Sequence, residues 1–347
     1  MREVKELMLK KEDENPPGRM TDLLEFKKHL PKERILLDLA FIAAGFVLLA
    51  PILNVQRVTD FMIFCIFVLS FDLLYGYMGR LSFGHMLFLG AGAYGGGLCI
   101  RYMTKDPLLA VLAGIIMAGL LAMILGLIIV RTTGACFALI NLAFNQVGFF
   151  LVLSVLRDIT RGEDGIGVVP EGLGWLDLSS RPVMFGFVLF FLLLAFYVLR
   201  RVTTSPYGIL IRSIKEDEAR VKFLGYNTFL YKWLTYVIAG CVAGLAGTLS
   251  ALNYGYVNPN FMDTHRNVDV IFAVLIGGAG NLYGSIIGGV VYMVISNYLA
   301  IYIPRWEMVL GISLLILVFR FRQGIWGFVR EKGARRSVPG EIGVKKE

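Results

Sequence analysis

The chain has 347 residues, of which 56% are hydrophobic and 17% charged, with a formal net charge of +8 and a mean hydropathy of +0.68. Soluble domains carry about 25% charged residues, so the composition excludes an ordinary soluble protein and points to an all-α integral membrane protein. The positive balance requires no nucleic acid, because it follows from how Lys and Arg are distributed between the apolar segments.

Residues 1–34 are too charged and too poor in apolar runs for a cleavable signal peptide. They read as a cytoplasmic N-terminal extension. A membrane span needs about 20 apolar residues, or somewhat fewer in a broken helix. About ten transmembrane helices follow from that test, at 35–53, 58–76, 83–102, 107–130, 135–156, 182–199, 233–252, 267–281, 284–303 and 306–321. Segments 83–102 and 267–281 adjoin glycine clusters and are candidates for broken or re-entrant helices. With ten crossings and both termini cytoplasmic, 26 of the 34 Lys and Arg residues lie on the inner side, the bias expected of an inner-membrane protein. The transmembrane domain is thus expected over 35–325, and a basic cytoplasmic tail over 326–347.

Residues 76–97 read GYMGRLSFGHMLFLGAGAYGGG. Such a glycine run permits close backbone approach and unusual dihedrals, so helices there either break or pack tightly. Irregular backbone at membrane depth persists only where protein covers it or a watery cavity satisfies it. A substrate route, or a hinge beside one, is the functional expectation, with helix packing alone as the alternative.

Cys65, Cys99, Cys136 and Cys241 all lie in apolar segments without CxxC spacing, which suggests buried packing cysteines. His29, His85 and His265 show no metal-ligand spacing. No Gly-Lys-Ser/Thr sequence closes a phosphate-binding loop, so the chain is expected to be no enzyme and to bind no cofactor itself.

Between segments 182–199 and 233–252 lies the longest hydrophilic stretch of the membrane core, within the loop 201–232. Ile211, Ile214, Ala219 and Leu224 interleave there with Arg212, Lys215, Glu216, Asp217, Glu218, Arg220 and Lys222. The pattern predicts one or two short amphipathic helices, with Gly225 as a C-terminal stop. Such a helix is a handle for a partner; a solvated connection is the plainer reading.

This loop resembles that of permease subunits of the ATP-binding-cassette importers for branched-chain amino acids. The shared residues are Ser205-Pro206-Tyr207-Gly208, Ser213-Ile214-Lys215-Glu216-Asp217-Glu218-Ala219 and Leu224-Gly225. Three further blocks are similar to the same family: residues 76–85, Phe137-Ala138 with Leu142-Ala143-Phe144, and residues 275–284. The four lie in the family's order across roughly 35–325, and the chain looks like the longer of the two permeases. The resemblance implies a subunit without its own ATPase, paired with a second related permease, two cytoplasmic ATPases that use ATP and magnesium, and an external solute-binding protein. It also implies that Arg212, Lys215, Glu216, Asp217, Glu218, Ala219, Leu224 and Gly225 form the segment that couples to an ATPase. Urea, short amides and aromatic carboxylates are alternative solutes within the same class. An autonomous channel or secondary transporter is the rival from another class, but it leaves the charged loop without a role.

Two glycine blocks echo each other, Gly76-x-x-Gly79-x-Leu81-x-x-Gly84 and Gly277-x-x-Gly280-x-Leu282-x-Gly284. They suggest an internal repeat, and paired interrupted segments point to a central pathway. Polar residues in spans are expensive in lipid and face the protein interior. Asn141 and Asn145 share a helix face, with Gln146 beside them, and neutral amides can bond a zwitterion without adding charge. Interhelical hydrogen bonding explains them equally well. Gly79, Ser82, Gly84, Gly278, Gly280 and Asp72 complete the expected pathway. Asp72 stands near a position where the family usually has Asn, and Arg80 where it has Gln, so an ion pair between them is expected. Residues 160–165, TRGEDG, replace a glycine-rich family loop at the outer mouth. Asp269 is left between lining the route and capping its helix.

Overall fold

Apolar helices joined by short polar turns must run antiparallel, and the computed structural model of the chain is built this way. It describes residues 32–169, 178, 180–302, 308, 311 and 312. Two units divide after Gly45, Met1–Gly45 and Phe46–Glu347. The expected extension 1–34, apart from the first helical residues, and the tail 326–347 lie outside the described residues.

In chain order the helices are α1 (Lys32–Leu53), α2 (Val55–Asp72, extended by a wider π turn over Leu73–Tyr77), α3 (Met86–Tyr102), α4 (Pro107–Ile129), α5 (Gly134–Phe150, extended by a π turn over Leu151–Val155) and α6 (Arg157–Thr160). After strand β1 (Ile166–Gly167) come α7 (Arg181–Thr204), α8 (Pro206–Glu216), α9 (Glu218–Phe223) and α10 (Thr228–Tyr254). Strand β2 (Tyr256–Val257) leads to a 3-10 turn at Pro259–Met262, then α11 (His265–Gly277) and α12 (Leu282–Tyr302). The strands pair antiparallel, Ile166 opposite Val257 and Gly167 opposite Tyr256. The all-α membrane architecture is as expected.

Seven of these helices are long and apolar enough to cross a membrane. Helices α3 and α11 are shorter, with 17 and 13 residues. At ~1.5 Å per residue they reach about 25 and 20 Å, against a hydrocarbon core of about 30 Å. The reason is local: glycine breaks before α3 and after α11 take residues that would have extended them. The segment 306–321 falls almost wholly outside the described residues, so the seven full spans are a count among the described residues alone.

Helices α2 and α10 form the centre. Their apolar windows are 83% and 78% buried, against 33% for α4 and 28% for the α5 span. Helix α10 packs on α2, α3 and α4, while α7 and α12 flank α2, and α11 pairs with α12. Lipid tails give no hydrophobic drive between helices, so close contact depends on small residues. A Cβ on Gly92 would meet the backbone of Gly244, and one on Gly244 would meet Ala118. Thr248 on α10 donates to the Gly92 carbonyl at 2.9 Å. The later glycines of the 76–97 run therefore serve packing, and only its beginning is a break. Cys65 and Cys99 are buried as expected, but Cys136 is exposed, because it lies on the peripheral α5.

Charges separate along the bundle axis. Arg80, Arg131, Arg200 and Lys232 gather at one end, where α2, α4 and α7 finish and α10 starts; Asp60, Arg101, Asp106 and Tyr254 mark the opposite end. In the loop at that opposite end, Arg161 adopts φ 61°, a left-handed conformation that costs about 1–2 kcal/mol outside glycine.

Gly244→Leu should push α10 off α4 and destabilise the bundle by about 1–3 kcal/mol, seen as a lower melting midpoint in detergent. Gly186→Leu, where nothing lies within 4 Å of an added Cβ, should leave the midpoint unchanged.

Candidate functional site

Residues 78–85 interrupt the chain between α2 and α3. The π turn closes with Met78 N–H donating to the Leu73 carbonyl at 3.2 Å and Arg80 N–H to that of Leu74 at 2.9 Å. Gly79 then takes φ 74°, a left-handed step that turns the backbone off the α2 axis. The first amide of α3, Met86 N–H, would lack an intrahelical acceptor; the Asn267 side-chain oxygen on α11 accepts it at 3.2 Å.

The second break, residues 278–281, separates α11 from α12, and Gly280 takes φ 83°. The two breaks meet. Gly280 N–H donates to Asp72 Oδ1 at 2.8 Å, and Asp72 is fully buried. A Cβ on Gly76 would collide with that carboxylate and with the Gly280 nitrogen, and one on Gly280 would stand 3.0 Å from the Gly76 carbonyl oxygen. The echo between the glycine blocks thus has a physical counterpart: two helix interruptions seated against each other.

The charged loop grips the same place. Lys215 Nζ on α8 donates to the Gly76 carbonyl at 2.7 Å, and its stem lies against Gly79. The Arg212 guanidinium sits 4.7 Å over the Tyr77 ring. Glu218, at the start of α9, binds Lys232 at 2.8 Å, Lys222 at 3.1 Å and Arg80 at 3.1 Å, and accepts from Thr228 at 3.0 Å. Burial alone would raise the Glu218 carboxyl, but these hydrogen bonds and the Lys232 charge hold it down at about 2.

The expected ion pair between Asp72 and Arg80 is not formed. The π turn and the positive φ at Gly79 carry Arg80 away from α2 to Glu218, while Asp72 takes the Gly280 amide. Lys215 and Arg212 are the cations acting on Asp72.

Within the loop, Asp217 caps α9 by accepting Arg220 N–H at 3.0 Å. Gly225, at φ 86°, ends α9 by donating to the Lys222 carbonyl at 3.0 Å, the expected stop. Glu216, Ala219, Leu224 and Gly225 are exposed, and so is Phe223, at 91%. Arg212 and Lys215 are exposed too, but their contacts with Tyr77 and Gly76 and that of Glu218 with Arg80 turn these three to the breaks, while Phe223 and Leu224 form an apolar tip.

Asn141 is buried, accepting from the Tyr236 hydroxyl at 2.6 Å and donating to the Phe137 carbonyl at 2.7 Å. Asn145 donates to the Met262 carbonyl at 3.0 Å and to Thr264 at 2.9 Å, and Gln146 to the same hydroxyl at 2.8 Å. These amides tie α5 to α10 and to the turn before α11. Gly84 lies against the Asn141 carbonyl. Ser82 and His85 are fully buried, and His85 Nε2 is 2.8 Å from Ser70 Oγ. Asp72 Oδ2, Ser82 Oγ, His85 Nδ1 and Asn145 Oδ1 have no hydrogen-bond partner among the described residues, an arrangement found where a polar solute or water is accommodated.

Beyond His85, toward the Tyr254 end, the bundle holds a cavity of about 250 Å3 walled by α2, α3, α10, α11 and α12. Asp269 lines it and accepts from the Tyr292 hydroxyl at 2.6 Å, while Thr264 occupies the N-cap position of α11, so Asp269 does not cap its helix. Asn141, Asn145 and Gln146 are not among its walls. Sequence reasoning missed Asp60, Arg266, Lys232 and Tyr236. The available signal was a lone ionisable or hydroxylated side chain within or immediately beside an apolar segment.

Residues 54–319 match the family model of the permease component of branched-chain amino acid transport systems. The chain belongs to that family. The high-affinity branched-chain amino acid transport system permease protein LivM of Salmonella typhimurium is 28% identical over 298 residues, covering 77% of this chain and 68% of its own. The corresponding LivH protein of that organism is 25% identical over 277 residues, covering 74% and 88%. A probable branched-chain amino acid transport permease LivM of Methanocaldococcus jannaschii is 26% identical over 294 residues, covering 73% and 83%. No solved structure matches the chain significantly. The chain is thus a multi-pass membrane permease of the ATP-binding-cassette transporter class. For the two Salmonella typhimurium proteins, the likeness to LivM covers 77% of this chain and that to LivH 74%.

Asp72→Asn keeps a side-chain acceptor for the Gly280 amide, whereas Asp72→Ala leaves that buried N–H orphaned at a cost of about 1–3 kcal/mol. In detergent, the Asn variant should melt close to the parent and the Ala variant clearly below it. Equal melting of the two variants would contradict the assignment.

Proposed function

We propose that the chain is one permease half of an ATP-driven importer of branched-chain or related small amino acids. Its partners are a second related permease, two cytoplasmic ATPases and an external solute-binding protein, in a lipid bilayer. The names of its relatives support the solute class. The basic Arg80 end supports a cytoplasmic location for that end, since Lys and Arg are enriched on the cytoplasmic side. Binding and hydrolysis of ATP with magnesium fall to the partner ATPases, because the sequence carries no phosphate-binding loop of its own.

One observation carries the mechanism: the loop that resembles the coupling segment is bonded directly to the helix breaks. The apolar tip of Phe223 and Leu224, with Ala219 beside it, enters a cleft of the ATPase. Closure of the ATPases displaces α8 and α9 as a unit, since Asp217 caps α9 directly after α8. Lys215 then pulls on the Gly76 carbonyl and Arg212 on the Tyr77 ring. The seam between Gly76 and Gly280 is the gate at the cytoplasmic end, with Asp72 as its latch. A solute crossing from the opposite face passes the unpartnered polar atoms of His85, Ser82 and Asp72 on its way to that seam. Asn141, Asn145 and Gln146 hold the wall beside this path.

In proteoliposomes containing all partner subunits, the parent should take up leucine, isoleucine or valine only with ATP and the binding protein. Lys215→Met should keep ATP hydrolysis but lose at least about tenfold in uptake, as removal of a charged hydrogen bond worth about 1.5–3 kcal/mol implies. Phe223→Ala with Leu224→Ala should weaken both activities together. Uptake by vesicles lacking the ATPases would overturn the importer reading in favour of a channel or secondary transporter.

A further inference from the structure

The cavity near the Tyr254 end carries charge of both signs. Asp60 on α2 and Arg266 on α11 both line it, yet no ion pair joins them among the described residues. Both act electrostatically on Tyr254, a third lining residue. Asp60 is oriented by a neutral donor, Asn253 Nδ2 at 2.6 Å, which fixes a carboxylate without cancelling its charge. Asn253 is itself fixed, its side-chain oxygen accepting from Gln56 at 3.2 Å. Two facing helices thus present Asp60 and Arg266 to one space without joining them, and α11 adds a second carboxylate, Asp269, bound by the Tyr292 hydroxyl.

Deeper in, the walls become apolar, with Ile63, Phe64, Phe67, Met86 and Leu89. At about 250 Å3 the cavity is on the scale of a small amino acid. A free cation would meet the Arg266 charge and a free anion the Asp60 charge. A purely apolar solute would leave both charges desolvated and unmet. A compact molecule with an ammonium at one place, a carboxylate at another and an apolar side chain meets Asp60, Arg266 and the apolar wall, while the second carboxylate, Asp269, accepts from the Tyr292 hydroxyl.

We propose that this cavity is a transmembrane binding site for a zwitterionic α-amino acid, with its ammonium at Asp60, its carboxylate at Arg266 and its side chain against Phe64, Phe67 and Leu89. The proposal rests on the importer reading and extends it: the permease itself selects for the zwitterion, in addition to any selection by the binding protein. The site lies on the far side of Phe67 and His85 from the Gly76 seam, so a bound amino acid waits above the gate. Ser250 and Ser296, also lining, supply hydroxyls beside the charged pair.

The test uses the full chain co-purified with its partner subunits in lipid nanodiscs, and measures binding of tritiated L-leucine without ATP or binding protein. Saturable binding is expected. 3-Methylbutylamine, which lacks the carboxylate, and 4-methylpentanoate, which lacks the ammonium, should each compete at least about tenfold more weakly than leucine. Arg266→Gln should abolish the advantage of leucine over the amine, and Asp60→Asn its advantage over the acid. If both analogues compete as well as leucine on the unaltered complex, the site is overturned without recourse to any variant. Unchanged rankings in the two variants overturn it as well. ATP-driven uptake by the same complex separates the two readings. Uptake without saturable binding removes the site and leaves the importer, whereas saturable leucine binding without uptake supports the site and removes the importer.

Discussion

A backbone N–H inside an apolar bundle has to be met by the protein, and at Gly280 it is met by the buried carboxylate of Asp72 at 2.8 Å. That bond permits two helices to stop within the bundle and rest their broken ends against each other. It requires Gly76, because any side chain there would occupy the space of the carboxylate and of the Gly280 nitrogen. Lys215 and Arg212 add positive charge nearby from outside the bundle. An Asp at this depth is disfavoured unless its charge is engaged; here a backbone donor and two cations engage it together.

The same residues give the charged loop its mechanical meaning. A surface helix joined to the membrane helices only through its own chain ends would transmit little. Helix α8 instead holds the Gly76 carbonyl through Lys215 and the Tyr77 ring through Arg212, while Glu218 binds Arg80, Lys222 and Lys232. Three cations around one carboxylate form a network rather than an isolated surface pair, and Lys232 and Arg80 are largely shielded, at 6% and 14% exposure. Shielded networks resist salt screening better than exposed pairs. The loop and the breaks form one connected element, with Phe223 and Leu224 left outside it.

Much of this was legible in the sequence, and the rest was not for a definite reason. Hydropathy marked the spans, glycine density marked both breaks, and Gly225 marked the end of α9, because each of these signals is local. Partner choice is not local. Asp72 and Gly280 are 208 residues apart, and Asp60 and Asn253 are 193 apart, so spacing offered no way to join them. The nearest oppositely charged residue, Arg80, was the natural candidate for Asp72, and a π turn with one left-handed glycine was enough to redirect it. Asn141 and Asn145 were correctly placed on one helix face, but their partners, Tyr236 and the turn at Met262, come from elements far along the chain. Asp60 and Arg266 stood out only as charges within or beside apolar segments, and nothing in the sequence showed that they share a cavity.

The central claim is that the seam between the two breaks moves with the coupling loop. Spin labels at Tyr75 and Ala279, on opposite sides of the seam, would report its width by double electron–electron resonance in the complete transporter. The account predicts different distance distributions in the nucleotide-free and ATP-trapped states, and a loss of that difference in Lys215→Met. Identical distributions in a complex that hydrolyses ATP and transports normally would contradict it.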